Sequence, residues 1–139
     1  KKGTLSARGR RHIPVRSLGE FSLILPSRPN ASRRLLDNWA APTGIWLEPE
    51  MEVDDHTIIR SLVKRGLGVS LLTSGAFADD LAAGHVEARR LDPPAYWPLA
   101  LVNCQQDPEF EAANTVAQLI KSTLATLLAE KKWPGARPA

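Results

Sequence analysis

The chain has 139 residues, of which 43% are hydrophobic and 24% are charged, close to the average of a globular domain. This composition excludes collagen-like, coiled-coil and largely disordered proteins, and the single cysteine excludes an intramolecular disulfide. The net charge is +3, from 18 basic and 15 acidic residues, but six of the basic residues and no acidic one lie within residues 1–16. The rest of the chain, with 12 basic and 15 acidic residues, is mildly acidic.

The basic start has two interpretations. A basic arm beside an acidic body is typical of proteins that contact nucleic acid, whereas glycine and proline without helical periodicity are equally typical of a solvated lead-in. No apolar run is long enough to span a membrane, and no export signal follows the basic residues. We therefore expect a cytoplasmic protein without a membrane partner.

Strand and helix patterns alternate along the chain. Short apolar runs closed by proline or glycine predict strands, and cap residues followed by apolar residues at helical spacing predict helices. The predicted order is strand 21–25, a helix between Asn30 and Pro42, strand 45–53, a helix from Asp54 or Asp55 to Gly66, strand 67–72, helix 76–83, strands 85–91 and 97–102, and a long helix from Pro108 or Glu109. This alternation predicts an α/β fold, an open sheet of about five strands with helices on both faces.

Small polar residues follow two of the predicted strands. Ser27 and Arg28 come after the first strand, and Thr73, Ser74 and Gly75 come after the third. Because ligands of open α/β sheets bind beyond the carboxyl ends of strands, these hydroxyl, guanidinium and backbone N–H groups predict a site for a carboxylate or phosphate. The alternative is that Ser27, Asn30 or Thr73 only cap helices while Arg28 points to water.

Other reactive side chains indicate neither a metal site nor an enzyme. His12, His56 and His85 lack the spacing of metal ligands, so we expect no metal and no cofactor. His56, near the start of the second helix, either contacts a ligand at the cleft or lies on the surface. Cys104 has no histidine near it in sequence and is predicted to be a structural thiol.

The spacing of Glu48, Glu50 and Glu52 is that of the solvated face of a strand, and an acid–base pair is the less favoured interpretation. The sequence has no nucleotide-binding loop, nucleophile elbow or cysteine-pair motif. We therefore predict no catalytic residue, and a small α/β enzyme is a minor alternative.

Three stretches, in this order and spacing, resemble the effector-binding domain of LysR-type transcriptional regulators. They are LILPSRPN at 23–30, EVD at 52–54 leading to LVKRGLGVSLL at 62–72, and LDPP at 91–94. The stretch IPVRSL at 13–18 resembles the linker turn that precedes the first of them. The resemblance covers nearly the whole chain and implies a lobe similar to those of periplasmic binding proteins. Its implied parts are a basic lead-in and linker at 1–20, the second lobe at 21–91, a return segment to the first lobe at 92–132, and a tail at 133–139.

The resemblance also implies a function. Effectors of this family are commonly small organic acids that bind between two lobes, and Ser27, Arg28 and the Thr73–Gly75 segment would line that cleft from this lobe. The family often has proline where this sequence has Thr73, so the rim differs there by a hydroxyl. Binding would favour one angle between the lobes and so change how an oligomer sits on DNA.

The winged helix-turn-helix and the first half of lobe one have no counterpart in this sequence, so we expect a fragment of a longer regulator. That regulator would self-associate as a dimer or tetramer and contact DNA only through the missing part. The apolar stripe of the last helix and residues 97–102 would then be exposed and prone to self-association. A solute-binding lobe of a transport-type receptor and a nucleic-acid module that uses the basic arm are the alternatives.

Overall fold

The computed structural model describes residues 12–102 and 110–138, and the chain divides into two compact units, Lys1–Trp97 and Pro98–Ala139. The described residues contain short strands, α-helices and 3₁₀ helices. The strands and α-helices are β1 (His12–Pro14), β2 (Ile24–Leu25), α1 (Ala31–Ala40), β3 (Met51–Glu52), α2 (His56–Lys64), α3 (Ala78–Ala82), β4 (Arg90–Asp92) and α4 (Phe110–Ala129).

The strands of the first unit pair in parallel. β1 pairs with β4, and β2 pairs with β3 in a register that places Ile24 opposite Met51 and Leu25 opposite Glu52. A third segment joins β2 on its other side through a parallel bridge between Leu23 and Val69, with the N–H of Ile24 donating to the carbonyl of Val69 at 2.9 Å. β2 therefore lies between β3 and the Val69 segment.

In this strand order, the two crossover connections that follow β2 run in opposite directions across the sheet. From β2 the chain crosses through α1 to β3 on one side, and from β3 it crosses through α2 to the Val69 segment on the other side. Because such crossovers are right-handed, opposite directions place α1 and α2 on opposite faces of the sheet. The boundary between β2 and the Val69 segment is thus the switch point at which open α/β sheets bind ligands.

The core follows the alternation of β2. Leu23 and Leu25 belong to one buried cluster with Leu36 of α1, whereas Ile24 is fully buried outside that cluster, as is Ile59 of α2. The α/β class is confirmed by this arrangement. The five-stranded sheet is not, since the described residues form two two-stranded parallel ladders and one bridge.

The strands are shorter than the apolar pattern predicts. Of the predicted strand 45–53 only Met51–Glu52 is paired, and of 67–72 only Val69 forms a bridge. The segment 97–102 forms no strand within the described residues. An apolar run supplies side chains to bury, but a strand also needs a neighbour at ladder distance, which the local sequence does not specify.

The helices follow their predicted boundary signals closely. Asn30 caps α1, its side-chain oxygen accepting from the N–H of Ser32 at 2.9 Å, and Gly66, with φ of +71°, follows the end of α2. Of the two aspartates considered for α2, Asp55 is the cap. The predicted helix 76–83 is a 3₁₀ helix over Ser74–Phe77 followed by α3.

The described part of the lead-in is folded rather than solvated. After β1, a 3₁₀ helix spans Val15–Glu20, and Ile13, Val15 and Leu18 are buried because β1 pairs with β4 against the core. The basic arm up to Arg11 and Cys104 lie outside the described residues.

The second unit contains α4. Its predicted start at Pro108 or Glu109 lies outside the described residues, and Phe110–Ala129 is continuous helix. Several of the unit's large apolar side chains are exposed. Of these, Leu99, Leu101, Val102, Val116 and Ile120 belong to the predicted strand or stripe, and Leu119 does not. Within the described parts of the chain, no helix combines the length and apolarity needed to cross a membrane.

Candidate functional site

Ser27 and Asp54 meet at the carboxyl edge of the sheet, the edge at which β2, β3 and the Val69 segment end. The β2–β3 register, continued by two residues beyond Leu25 and Glu52, places Ser27 opposite Asp54. The Ser27 N–H donates to Asp54 Oδ1 at 3.0 Å, and the Ser27 hydroxyl lies 3.0 Å from Oδ1 and 2.8 Å from Oδ2. Ser27 is thus not the cap of α1.

Asp54 is an ionised carboxylate at this edge. Hydrogen bonds from the side chain and then the backbone of Ser27 lower its pKa below the ordinary value of 3.8, and Asn30 Nδ2, 3.4 Å from Oδ1, adds to this effect. From the sequence, Asp54 is a possible start of α2 and the last residue of the EVD motif at 52–54, but it is not predicted as a site residue. Its role depends on a contact between residues 27 apart, which only the strand register could have indicated.

Asp55 does the capping instead. Its Oδ1 accepts from the N–H groups of Thr57 at 2.7 Å and Ile58 at 2.9 Å, and these bonds, that from Ile58 first, lower the pKa of Asp55. His56, the first residue of α2, is exposed two positions beyond Asp54. The structure therefore places His56 near the same edge as Ser27, since α2 starts where β3 ends.

Arg28 lies next to Ser27 with its side chain 60% exposed. Its Nε is 3.7 Å from Asp37 Oδ2, a long ion pair that leaves most of the guanidinium open to solvent. Asp37 also accepts a shorter bond, 3.0 Å, from Nε of Arg33. Arg28 can therefore turn toward an anion without breaking a strong contact.

Arg33 is a second residue that the sequence reasoning did not single out. It is fully buried, and its Nη1 donates to the carbonyl of Pro26 at 3.0 Å and to Glu52 at 3.2 Å, while Nη2 donates to the carbonyl of Leu47 at 2.8 Å. The signal was present, because Arg33 lies three residues before Leu36, on the buried side of α1. Arg33 joins the backbone just before Ser27 to the strand that leads to Asp54.

The Thr73–Gly75 segment follows the Val69 bridge, as Ser27 follows β2. Leu23 and Val69 form the parallel bridge, and Ser27 and Thr73 each come four residues after a member of that pair. Thr73 precedes the 3₁₀ helix, but its exposed side chain makes no capping hydrogen bond. Ser74 is half-buried and Gly75 is exposed. Simple capping therefore explains neither the Ser27 nor the Thr73 hydroxyl.

The remaining candidates have surface positions. Glu48, Glu50 and Glu52 are all exposed, as expected for a solvated face, although Glu52 also bonds to Arg33. No group of three or more histidine, cysteine, aspartate or glutamate side chains in the described ranges is placed to hold a metal ion.

The comparisons with known proteins identify a family. The family described as LysR substrate binding domain matches residues 4–125. The chain is 28% identical over 122 residues to the HTH-type transcriptional regulator BbuR of Bordetella bronchiseptica, covering 87% of this chain and 38% of the relative. No solved structure matches the chain significantly.

The chain thus spans well under half the length of that curated relative. The matched family is a regulator's binding domain and not an enzyme family. The family match covers most of the chain and includes all three motifs on which the resemblance rests. The protein belongs to the LysR substrate-binding domain family.

Proposed function

We propose that this chain binds a small organic acid at the carboxyl edge of its sheet, at the switch point between Ser27 and Thr73. The observation that carries the proposal is the strand register, in which both residues follow the bridged pair Leu23 and Val69 by the same number of positions. Parallel segments with equal offsets end side by side, so the polar groups beyond them face a common ligand.

The donors at this edge fit a carboxylate. The exposed guanidinium of Arg28 can donate to an anion, and so can the hydroxyl of Thr73, which makes no capping hydrogen bond. His56 adds an imidazole nearby. The donors of Ser27 are already directed to Asp54, so Ser27 serves the effector through its hydroxyl oxygen or by exchanging partners.

The ionised carboxylate of Asp54 narrows the effector class. An acid without any donor group would be repelled by Asp54, whereas a hydroxyl or ammonium group beside the effector's carboxylate would give Asp54 a partner. The proposed effector is therefore a small hydroxy acid or amino acid.

The regulatory part of the proposal rests on the family. The chain would form a lobe with an open sheet of about five strands and would close on a partner lobe. The change in the angle between the lobes would pass to a longer, oligomeric regulator. DNA contact would belong to a winged helix-turn-helix outside this sequence, and the compartment would be the cytoplasm.

The test is a titration of the chain with lactate, alanine, succinate and acetate, in which the amide chemical shifts report binding. The proposal expects saturable shifts at Ser27 and Thr73 for lactate or alanine, weakened about tenfold by Arg28→Gln because a charge-assisted hydrogen bond is lost. Arg65→Gln is the matched control, since Arg65 is exposed at the other end of α2. Equal effects of the two variants, or shifts confined to other parts of the chain, contradict the proposal.

A further inference from the structure

A cleft of about 360 Å³ opens at the amino edge of the sheet, the end of β2 and β3 away from Ser27 and Thr73. Its two walls are the segments that lead into these strands, residues 19–23 and 46–50. The N–H of Glu50 donates to the carbonyl of Leu23 at 2.9 Å and joins the walls, and the bond from Arg33 to the carbonyl of Leu47 fixes the second wall from the interior. This volume suits a small ligand.

The lining of the cleft is apolar at its floor and acidic at its rim. Phe21, Leu23 and Leu47 are buried and form the floor, while the indole of Trp46 is 77% exposed. The carboxylate of Glu48 is exposed and has no hydrogen bond or ion pair within the described residues, and Glu50 adds a second negative charge. Among the residues that the structure describes, no lysine, arginine or histidine lines the cleft.

We propose that this cleft binds a small organic cation, an ammonium group that carries an apolar body. The ammonium would lie against the face of the Trp46 indole and beside the Glu48 carboxylate, because the electron-rich face of an aromatic ring attracts cations. The apolar body would contact Trp46, which is 77% exposed, and remove part of this aromatic surface from water. The site is separate from the proposed effector site in position and opposite to it in charge preference.

The indole N–H signals in a nitrogen–proton correlation spectrum give a direct readout. The chain has four tryptophans, and loss of one signal in Trp46→Leu assigns that of Trp46. Titration with tetramethylammonium chloride is expected to shift the Trp46 signal saturably, with a dissociation constant in the millimolar range. Tert-butanol, similar in shape but neutral, is expected to leave it nearly unchanged. Equal shifts with both compounds, or no saturable shift, overturn the proposal.

Variants at Glu48 and Gly19 test the two halves of the site. Glu48→Gln should raise the dissociation constant about three- to tenfold, read from the same Trp46 signal, because a charge partner is lost. A side chain at Gly19 meets no atom within 4 Å of its Cβ, and Gly19 is not in the left-handed region, so Gly19→Leu should fold and obstruct the cleft. Trp133→Leu, outside the cleft, is the control and should bind as the unaltered chain does. Normal binding by Gly19→Leu with a dispersed, native-like spectrum also overturns the proposal.

Discussion

Arg33 shows how one side chain can determine the geometry of a binding edge. A buried guanidinium is unfavourable unless its donors are satisfied, and here Nε, Nη1 and Nη2 all donate to oxygens. Two of these oxygens, the carbonyls of Pro26 and Leu47, belong to backbone that no strand ladder holds. Arg33 therefore replaces missing sheet hydrogen bonds beside Ser27.

Replacing Arg33 with methionine tests this role. The change keeps the apolar volume of the side chain but leaves the two carbonyls buried without donors, so we expect the free energy of unfolding to fall by about 3–5 kcal/mol. Urea denaturation followed by circular dichroism gives the value. Arg34→Met is the control, because Arg34 is exposed and should change stability by no more than about 0.5 kcal/mol. If the two variants are equally stable, Arg33 does not hold this edge together.

At the scale of elements, the sequence predicted helices better than strands. Asn30, Gly66 and Gly84 act on residues near them in sequence, so the ends of α1, α2 and α3 follow from local chemistry. Strand lengths depend on partners far away in sequence, and the predicted strands 45–53 and 67–72 were accordingly too long.

The candidate site divides in the same way. Ser27, Arg28 and Thr73 were identified because each follows a recognisable strand, which is local information. The bond of Asp54 to Ser27 joins segments that only the folded chain brings together, whereas the burial of Arg33 could have been predicted from its position on the apolar side of α1, though its bond to Leu47 could not. The sequence therefore predicts the edge of the sheet as the site. It does not indicate that the donors of Ser27 are already bound to Asp54.

Gly68 controls how closely the Val69 segment approaches β2. A Cβ at Gly68 would lie 2.5 Å from the carbonyl oxygen of Ser22 and 2.9 Å from Cγ1 of Ile24, closer than packed atoms allow. We expect Gly68→Ala to lower the free energy of unfolding by about 1–3 kcal/mol, since the two segments must separate to admit the methyl group. Thermal and urea unfolding measure the change.

Gly19→Ala provides the comparison for Gly68→Ala, because a Cβ there meets no atom within 4 Å. Its effect should be within about 0.5 kcal/mol of zero. A Gly68→Ala chain as stable as Gly19→Ala would show that the Val69 segment is not held against β2 as described.

Over the whole first unit, three carboxylates add hydrogen bonds to those of the short ladders. Asp54 links the ends of β2 and β3, Asp55 caps α2, and Asp80 of α3 accepts from Arg60 at 2.6 Å and Lys64 at 3.2 Å on α2. The bond from Arg60 is the main cause that lowers the pKa of Asp80. The pKa values of all three aspartates are below their ordinary value of 3.8.

These three shifts predict a loss of stability in acid. A carboxyl group whose pKa is lower in the folded state stabilises the fold above its ordinary pKa of 3.8, because the unfolded chain binds protons more readily. That stabilisation is present at neutral pH and is lost as the pH falls below 3.8 through the folded values. Melting temperatures measured at neutral pH and at intervals below pH 3.8 should show the fall. Asp54→Asn should make the fall in melting temperature smaller, whereas Asp79→Asn, at an exposed position beside Asp80, should not. An acid response unchanged by Asp54→Asn would mean that the Ser27–Asp54 contact does not stabilise the folded unit.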